Sequence, residues 1–327
     1  MSDVFDLRQI RPEQLEPVLQ AEAVEWQRDL LWDYTSSIDL IRQYMQARIL
    51  PGYVLAEGTG AQRRPQGYGF FVYEAQKGLI GALYVHPSHR TPGRVQEQRL
   101  LRHMIETLQA TPGLARIEAQ LMPFRPEELA GVFRGQHFQA FRRLFMHIPA
   151  DRFPAFTPPP GATLAIEPWN TRCFEEAAAL IQRAYQNHVD SEVNDQYRSF
   201  AGSLRFLNNI VQYPGCGHFD PGSSLLLRNS LTGSLEGLLL TSLVRPDIAH
   251  ITQICLQPAL QGHGWGRHLL SRAMELLRDR KHPPTGKPQP IAAVTLTVTE
   301  ANHAAVALYR KLGFNTLREF DAYVWQP

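Results

Sequence analysis

The stretch Ile254-Cys255-Leu256-Gln257-Pro258-Ala259-Leu260-Gln261-Gly262-His263-Gly264-Trp265-Gly266-Arg267 decides how this chain is read. It runs from an apolar strand through a glycine-rich turn into a helix. Glycine has no Cβ, so the turn lets the backbone approach a ligand closely. The helix that begins there directs its free N–H groups and a partial positive charge to the same point. A phosphate or pyrophosphate complements such a turn. A plain tight connection has the same local pattern, so other residues must choose between the two. Two familiar phosphate loops do not fit. No G-K-[ST] follows the glycines, and the ribose-binding acid expected of a G-x-G-x-x-G unit is absent at its spacing.

The residues that choose lie downstream, in Val298-Thr299-Glu300-Ala301-Asn302-His303-Ala304-Ala305-Val306-Ala307-Leu308-Tyr309-Arg310-Lys311-Leu312-Gly313-Phe314. Gln261-x-x-Gly264-x-Gly266 resembles the Q/R-x-x-G-x-G/A signature of the GCN5-related N-acetyltransferases, the GNAT superfamily. The later segment is similar to that family's N-x-x-A-x-x-L-Y-x-x-x-G-F. Each has a strand before it and a helix after it, and the resemblance that they carry covers about the last 160 residues. The resemblance implies an α/β fold with a central mixed, mostly antiparallel sheet flanked by helices.

It also implies a chemistry. The backbone around Gly262, His263, Gly264, Trp265, Gly266 and Arg267, with Gln261, would hold the pyrophosphate of acetyl-coenzyme A as co-substrate. Main-chain groups of Ile254 and Leu256 would meet the pantetheine and thioester, with Cys255 packed behind them. Asn302 would lie on the cofactor side, or cap the following helix, or both. Tyr309 would protonate the departing thiolate. No metal is implied. The acceptor would be a primary amine on a small molecule or peptide, attacking the thioester directly. With a lysine-like pKa only about one amine in 2,500 is neutral at pH 7, so a base should help. By alternation His250, Thr252, Ile254 and Leu256 share one strand face, which makes His250 a candidate base, with Glu236 on the preceding strand as its competitor. The segment from Tyr185 to Tyr197 carries Asp190, Glu192 and Asp195, which could attract an ammonium group or serve only as a solvated connection. Two other readings stay open: a coenzyme A-binding or regulatory module without turnover, and a transferase using a different acyl donor.

The first half repeats the pattern in damaged form. Leu83-Tyr84-Val85-His86-Pro87-Ser88-His89-Arg90-Thr91-Pro92-Gly93-Arg94-Val95 aligns with the glycine turn at a constant offset of 171 residues, Pro87 on Pro258 and Gly93 on Gly264. Val95 replaces Gly266, and Pro92 removes a backbone donor. Further on, Phe133 faces Tyr309, Pro126 faces Asn302 and His137 faces Gly313. Phenylalanine cannot protonate a thiolate. The expected organisation is tandem GNAT-like domains, as in tandem-domain acetyltransferases. Residues 1–150 form a degenerate copy that is structural or shapes the substrate cleft, 151–161 a proline-rich linker, and 162–327 the catalytic domain.

Composition agrees and excludes other classes. The 327 residues suffice for two cores, and 44% are hydrophobic. Lys+Arg 33 against Asp+Glu 31 leaves +2, shared evenly between the halves, so neither half is a nucleic-acid module. Cys173, Cys216 and Cys255 make no C-x-x-C pair, and Cys216-Gly217-His218-Phe219-Asp220 reads as a loop and not a zinc site. No long apolar run or leader pattern is present, and the expected location is the cytoplasm.

Overall fold

A computed structural model describes residues 2–157, 163–213, 215–281 and 286–327. Residues 158–161 of the expected linker lie outside the described residues, as do 282–285 of the segment His282–Pro290, which its prolines and glycine mark in the sequence as a surface loop. The chain forms two compact units, Met1–Arg143 with Arg318–Pro327, and Leu144–Leu317. These bounds differ from the expected division at 151–161. The proline run interrupts backbone pairing, but strand membership decides the cores. Strand β6 (Gln139–Pro149) contributes Leu144, Met146 and Ile148 to the second unit's core, whereas Tyr323 of β13 (Asn315–Trp325) belongs to the first.

The first unit contains β1 (Asp3–Asp6), α1 (Pro12–Leu30), α2 (Thr35–Gln46), β2 (Gly52–Glu57), β3 (Arg64–Glu74), β4 (Lys77–Val85), α3 (Val95–Gln109), β5 (Arg116–Gln120) and α4 (Pro126–Gly135). Its sheet runs β1-β2-β3-β4-β5-β13, with only β4 and β5 parallel among these pairs. Alternate residues of β4 feed two cores. Leu83 and Val85 pack with α3 and α4, while Ala82 and Tyr84 pack with α1 and α2.

The second unit contains β7 (Leu164–Pro168), α5 (Phe174–Ala184), α6 (Val189–Val193), α7 (Phe200–Gln212), β8 (His218–Phe219), β9 (Leu225–Asn229), β10 (Leu235–Arg245), β11 (Ile248–Leu256), α8 (Trp265–Arg278), β12 (Ala293–Thr299) and α9 (His303–Leu312). Its order is β6-β12-β11-β10-β9-β7, with β8 on β10. The periodicity of α8 places Leu269, Leu270, Ala273, Met274 and Leu277 on one face, and all five are fully buried against the sheet. Each such leucine contributes about 1.5–3 kcal/mol of burial free energy. On the other face, Ala177, Ala178 and Ile181 of α5 and Leu207 of α7 pack beneath Leu238 and Leu240. The expected mixed, mostly antiparallel sheet flanked by helices is present in both units.

Three details recur in both units. β11 pairs in parallel with β12 only from Ile248↔Ala293 to Ile251↔Leu296, and β4 with β5 only from Lys77↔Arg116 to Ile80↔Ala119. Beyond those pairs β11 and β4 run on with one edge open. Each strand also carries one extra residue against its antiparallel neighbour. In β11 it is Thr252, between Ile251↔Thr241 and Gln253↔Leu240; in β4 it is Gly81, between Ile80↔Phe71 and Ala82↔Phe70. These positions stand at the same 171-residue offset found in the sequence. Finally, α9 and α4 end alike. Gly313 (φ +100°) and His137 (φ +60°) are left-handed, followed by backbone bonds from Phe314 to Tyr309 and from Phe138 to Phe133, both 3.0 Å.

Candidate active site

The glycine turn, the open edge of β11 and the start of α9 enclose a cavity of about 330 Å³ in the second unit. At one end is the N-terminus of α8. Its cap is Gly264, with φ +87°, a backbone state that glycine adopts without Cβ strain. No side chain caps this helix, so its first-turn N–H groups are left to whatever occupies the cavity. Gly266 is tight for another reason: a Cβ there would lie 3.2 Å from Leu308 Cδ2. Arg267 is the one formally charged residue in the lining, which contains no carboxylate. The electrostatics favour an anion, through backbone donors, a helix dipole and one guanidinium.

Gln261, Gly262, Gly264, Gly266, Arg267, Ile254, Cys255, Leu256, Asn302 and Tyr309 all line this cavity. Gln261 donates from Nε2 to the Leu256 carbonyl at 3.3 Å and braces the turn. Asn302 caps α9, its Oδ1 accepting from the Ala305 N–H at 3.2 Å. Cys255 packs into the α5 and α7 core yet also borders the cavity. Burial pushes its thiol pKa up, partly offset by Arg183, so it is a poor nucleophile. His263 and Trp265 are not in the lining. His263 bonds the Gln261 carbonyl at 2.9 Å, and Trp265 packs towards the α8 core.

Tyr309 is 6% exposed, on the α9 face that borders the cavity. Burial, reinforced by the negative charge of Asp190, pushes its pKa above the usual tyrosine value. Its hydroxyl is therefore a proton donor and not a phenolate at neutral pH. Two lining residues were not identified from sequence as part of the cofactor site. The Tyr185 hydroxyl donates to Gln253 Oε1 at 3.1 Å and the Ile254 carbonyl at 3.3 Å, and His188 lies beside it, ring centroids 5.2 Å apart. Their signal was the aromatic end of α5, Tyr185-Gln186-Asn187-His188. In an extended strand a residue's N–H and C=O point to the same edge. The Tyr185 contact to the Ile254 carbonyl thus puts the Ile254 N–H on the cavity side.

Neither candidate base lines the cavity. Alternation put His250 on the face of Ile254, but the extra residue at Thr252 reverses the phase of the strand between them. His250 is 8% exposed, stacks on Phe145 with centroids 6.1 Å apart, and bonds Thr295 Oγ1 through Nδ1 at 2.9 Å. Burial drives its pKa down to about 3. Glu236 sits at the start of β10, beside Gln257, yet is not in the cavity lining. Its carboxylate accepts from Ser234 Oγ at 2.5 Å and its backbone carbonyl accepts from the Gln257 N–H at 2.8 Å.

Comparison with known proteins gives this arrangement its family. Residues 176–314 match the model of the Acetyltransferase (GNAT) family. The second unit belongs to the GNAT superfamily. Curated relatives include the protein named mycothiol acetyltransferase in Mycobacterium sp. (strain JLS), 33% identical over 105 residues, and its namesake in Mycolicibacterium gilvum (strain PYR-GCK), 32% identical over 115. These matches cover 32% and 35% of this chain and 33% and 37% of the relatives, so the chain spans about a third of their length. Among solved structures, a GCN5-related N-acetyltransferase from Sphaerobacter thermophilus matches with TM-score 0.68 at 16% identity, over 99% of this chain and 95% of that one. A tandem GNAT protein from the clavulanic acid biosynthesis pathway matches with TM-score 0.60 at 16% identity, over 100% and 98%. At these identities the structures establish the fold, in tandem.

The first GNAT-like unit keeps a cavity at the corresponding place, about 430 Å³, bordered by Tyr84, Val85, Arg90, Arg94 and the start of α4. Its chemistry is the reverse of the second unit's. Glu25, Arg90, Glu97, Arg94 and Glu128 form a chain of ion pairs, 2.7, 3.8, 3.1 and 2.8 Å apart in that order. The Glu97 side chain is completely buried, in the first turn of α3. Where the second unit leaves helix N–H groups and no acid, the first supplies its own carboxylates. Phe133, at the tyrosine position, is fully buried and stacked on Tyr323 at 3.7 Å.

No helix among the described residues is long and apolar enough to cross a membrane, and no group of three or more His, Cys, Asp or Glu side chains among them could hold a metal ion.

Proposed function

We propose that the second unit transfers the acetyl group of acetyl-coenzyme A to a primary amine by direct attack, and that Tyr309 protonates the leaving thiolate. The observation that carries this reading is one acid-free cavity with an uncapped helix N-terminus at one end and a buried, protonated tyrosine bordering it. The coenzyme supplies an activated thioester, and the residues present fit it. Backbone N–H groups of the 262–267 turn and Arg267 would hold the pyrophosphate. The Ile254 N–H would donate to the thioester oxygen as it becomes an oxyanion, a contribution of about 3 kcal/mol where such donors have been removed elsewhere. As the amine nitrogen bonds the carbonyl carbon and the C–S bond breaks, the amine gives up its proton to water and Tyr309 gives one to sulfur, recovering it from solvent before the next turnover. Cys255, its thiol held neutral by burial, has no part in a covalent step. His250 and Glu236 are not given the base role, because neither borders the cavity.

The first unit supports the second without turnover of its own, since it lacks the tyrosine and fills its anion site internally. The test is thiol release from acetyl-coenzyme A across a panel of amines and peptides, with a series of acyl-chain lengths to fix the donor. Tight binding by calorimetry with no thiol released for any amine would replace this reading with that of a coenzyme A-binding module. The name mycothiol acetyltransferase belongs to the relatives, and mycothiol-related amines in the panel would ask whether this chain shares that activity.

A further inference from the structure

The first unit's cavity, about 430 Å³, has a lining of unusual charge: five arginines and five carboxylates among its fourteen residues. Its volume is in the range of small-molecule pockets, about 300–1,000 Å³, but those are mostly apolar, so this one suits a polar ligand. The charges fall into two groups. Ion pairs join Glu25, Arg90, Glu97, Arg94 and Glu128, and three carboxylates with two guanidiniums leave a formal −1. In the other group Arg28 donates to Asp29 through Nε and Nη2, at 2.6 and 2.8 Å, and Arg318 lies 3.9 Å from the same carboxylate. Two guanidiniums sharing one carboxylate leave a formal +1. Arg125 and Glu127 complete the charged lining and cancel formally.

The two groups meet on α1. Arg28 and Asp29 follow Glu25 by three and four residues, so the helix brings both to its side, with Cβ atoms about 5–6 Å apart. Between the groups the cavity therefore offers an excess negative charge and an excess positive charge a short distance apart.

The negative group also holds an unsatisfied atom. Glu97 accepts from Arg94 Nη1 through Oε1 at 3.1 Å, and Arg90 Nε lies 3.8 Å from that same oxygen. Its Oε2 has no hydrogen-bond partner among the described residues, although the side chain is 0% exposed and lines the cavity. A buried carboxylate oxygen without a donor is costly, and native structures rarely contain one without cause. A donor that enters the cavity would satisfy it. Metal chemistry does not fit, because no group of three or more His, Cys, Asp or Glu among the described residues could hold an ion. A simple cation would answer Glu97 and leave the arginine group in excess; a simple anion would do the reverse.

We propose that this cavity binds a small zwitterion, an amino acid whose ammonium group donates to Glu97 Oε2 and whose carboxylate meets Arg28 and Arg318. All of these residues belong to the first unit, and the site does not depend on acetyl transfer by the second.

Calorimetric titration of the full chain tests this with the protein amino acids, and with β-alanine and γ-aminobutyrate to vary the charge separation. At least one should bind with a Kd below about 1 mM. For the tightest, the amine lacking the carboxylate and the acid lacking the ammonium group should each bind at least about tenfold more weakly, the loss of one charge-assisted contact. Glu97→Gln and Arg28→Gln should each weaken the intact ligand by a similar factor. The Arg28 side chain is 64% exposed and its ion-pair partner is its neighbour Asp29, so Arg28→Gln should fold as the wild type does. It decides alone if Glu97→Gln does not fold. Three results overturn the assignment: no saturable binding of any amino acid, in which case the cavity holds solvent; equal affinity for the amine or the acid alone; or affinity within twofold of wild type in either folded variant, which would place the ligand elsewhere in the chain.

Discussion

Replacing Tyr309 by phenylalanine removes one oxygen from the catalytic cavity and little else. The ring is 6% exposed and packs beside Phe314, centroids 5.8 Å apart, and phenylalanine keeps that contact. The hydroxyl has no hydrogen-bond partner among the described residues, so its removal orphans no buried group, and stability should change by no more than about 0.5 kcal/mol. Catalysis is another matter. A positioned general acid contributes about 10²- to 10⁴-fold. The leaving group here is a thiolate, whose conjugate acid has a pKa near 8.5, so protonation helps it less than it would an alkoxide or amide. The lower end applies: kcat should fall about 100-fold, or about 2.7 kcal/mol, with KM for acetyl-coenzyme A unchanged within twofold. Burial and Asp190 hold the tyrosine proton to higher pH than usual. Wild-type kcat should therefore show no falling limb from this group up to about pH 9, below even an unperturbed tyrosine pKa near 10. Thiol release followed from pH 6 to 10 measures both. Turnover within twofold of wild type, or a matching loss of acetyl-coenzyme A binding, would refute the role.

The remaining predictions concern the turn, the first unit and one buried acid. Gly264→Val forces a β-branched residue to φ +87°, at a cost of at least about 1–2 kcal/mol, and moves the helix donors. Calorimetry should show acetyl-coenzyme A affinity at least tenfold weaker. The wild type should bind one acetyl-coenzyme A per chain, because the carboxylates around Arg90 and Arg94 already occupy the first unit's anion site; a stoichiometry of two contradicts this. Glu22 is buried beneath Tyr68, which donates to it at 2.6 Å, and burial raises its pKa from 4.5 to about 7. A raised carboxyl pKa gives stability present below pH 4.5 that is lost as pH rises through 7. Glu22→Gln should therefore be more stable than wild type at pH 8 and lose that advantage near pH 5, as read by urea unfolding at the two values.

The sequence carried more of the cofactor end than of the acceptor end, for physical reasons. Backbone sites depend on residues that are scarce and positionally constrained, so Gly262, Gly264, Gly266 and the asparagine cap of α9 are visible as letters. The place of Tyr309 in the cavity lining was legible through its motif. His250 was misplaced because alternation assumes an unbroken pleat, and one extra residue at Thr252 invalidates it over the next four positions. Tyr185 and His188 were read as part of a connection, since nothing in a helix end reveals that its hydroxyl reaches a carbonyl 69 residues later. Helix α7 begins at Phe200, where Ser199 caps it by accepting from the Gly202 N–H at 3.0 Å. The bounds of the compact units differ from the expected division because a proline run marks where pairing stops, whereas the cores depend on which sheet β6 and β13 complete.

The extra residue shared by β4 and β11 has a further consequence. The first unit has Val95 and Phe133 where the second has Gly266 and Tyr309, yet Gly81 keeps the dislocation at the same step as Thr252. The dislocation does not depend on those side chains, so it belongs to the scaffold. It divides each strand into two segments of opposite phase, one serving the sheet's hydrogen-bonded body and the other the open edge. Deleting Thr252 would leave every residue from Gln253 to Leu256 in the chain but exchange their sides. Ile254 and Leu256 would turn towards α5, and Cys255 towards α8. The active-site edge is thus specified by a count of residues as much as by their identity.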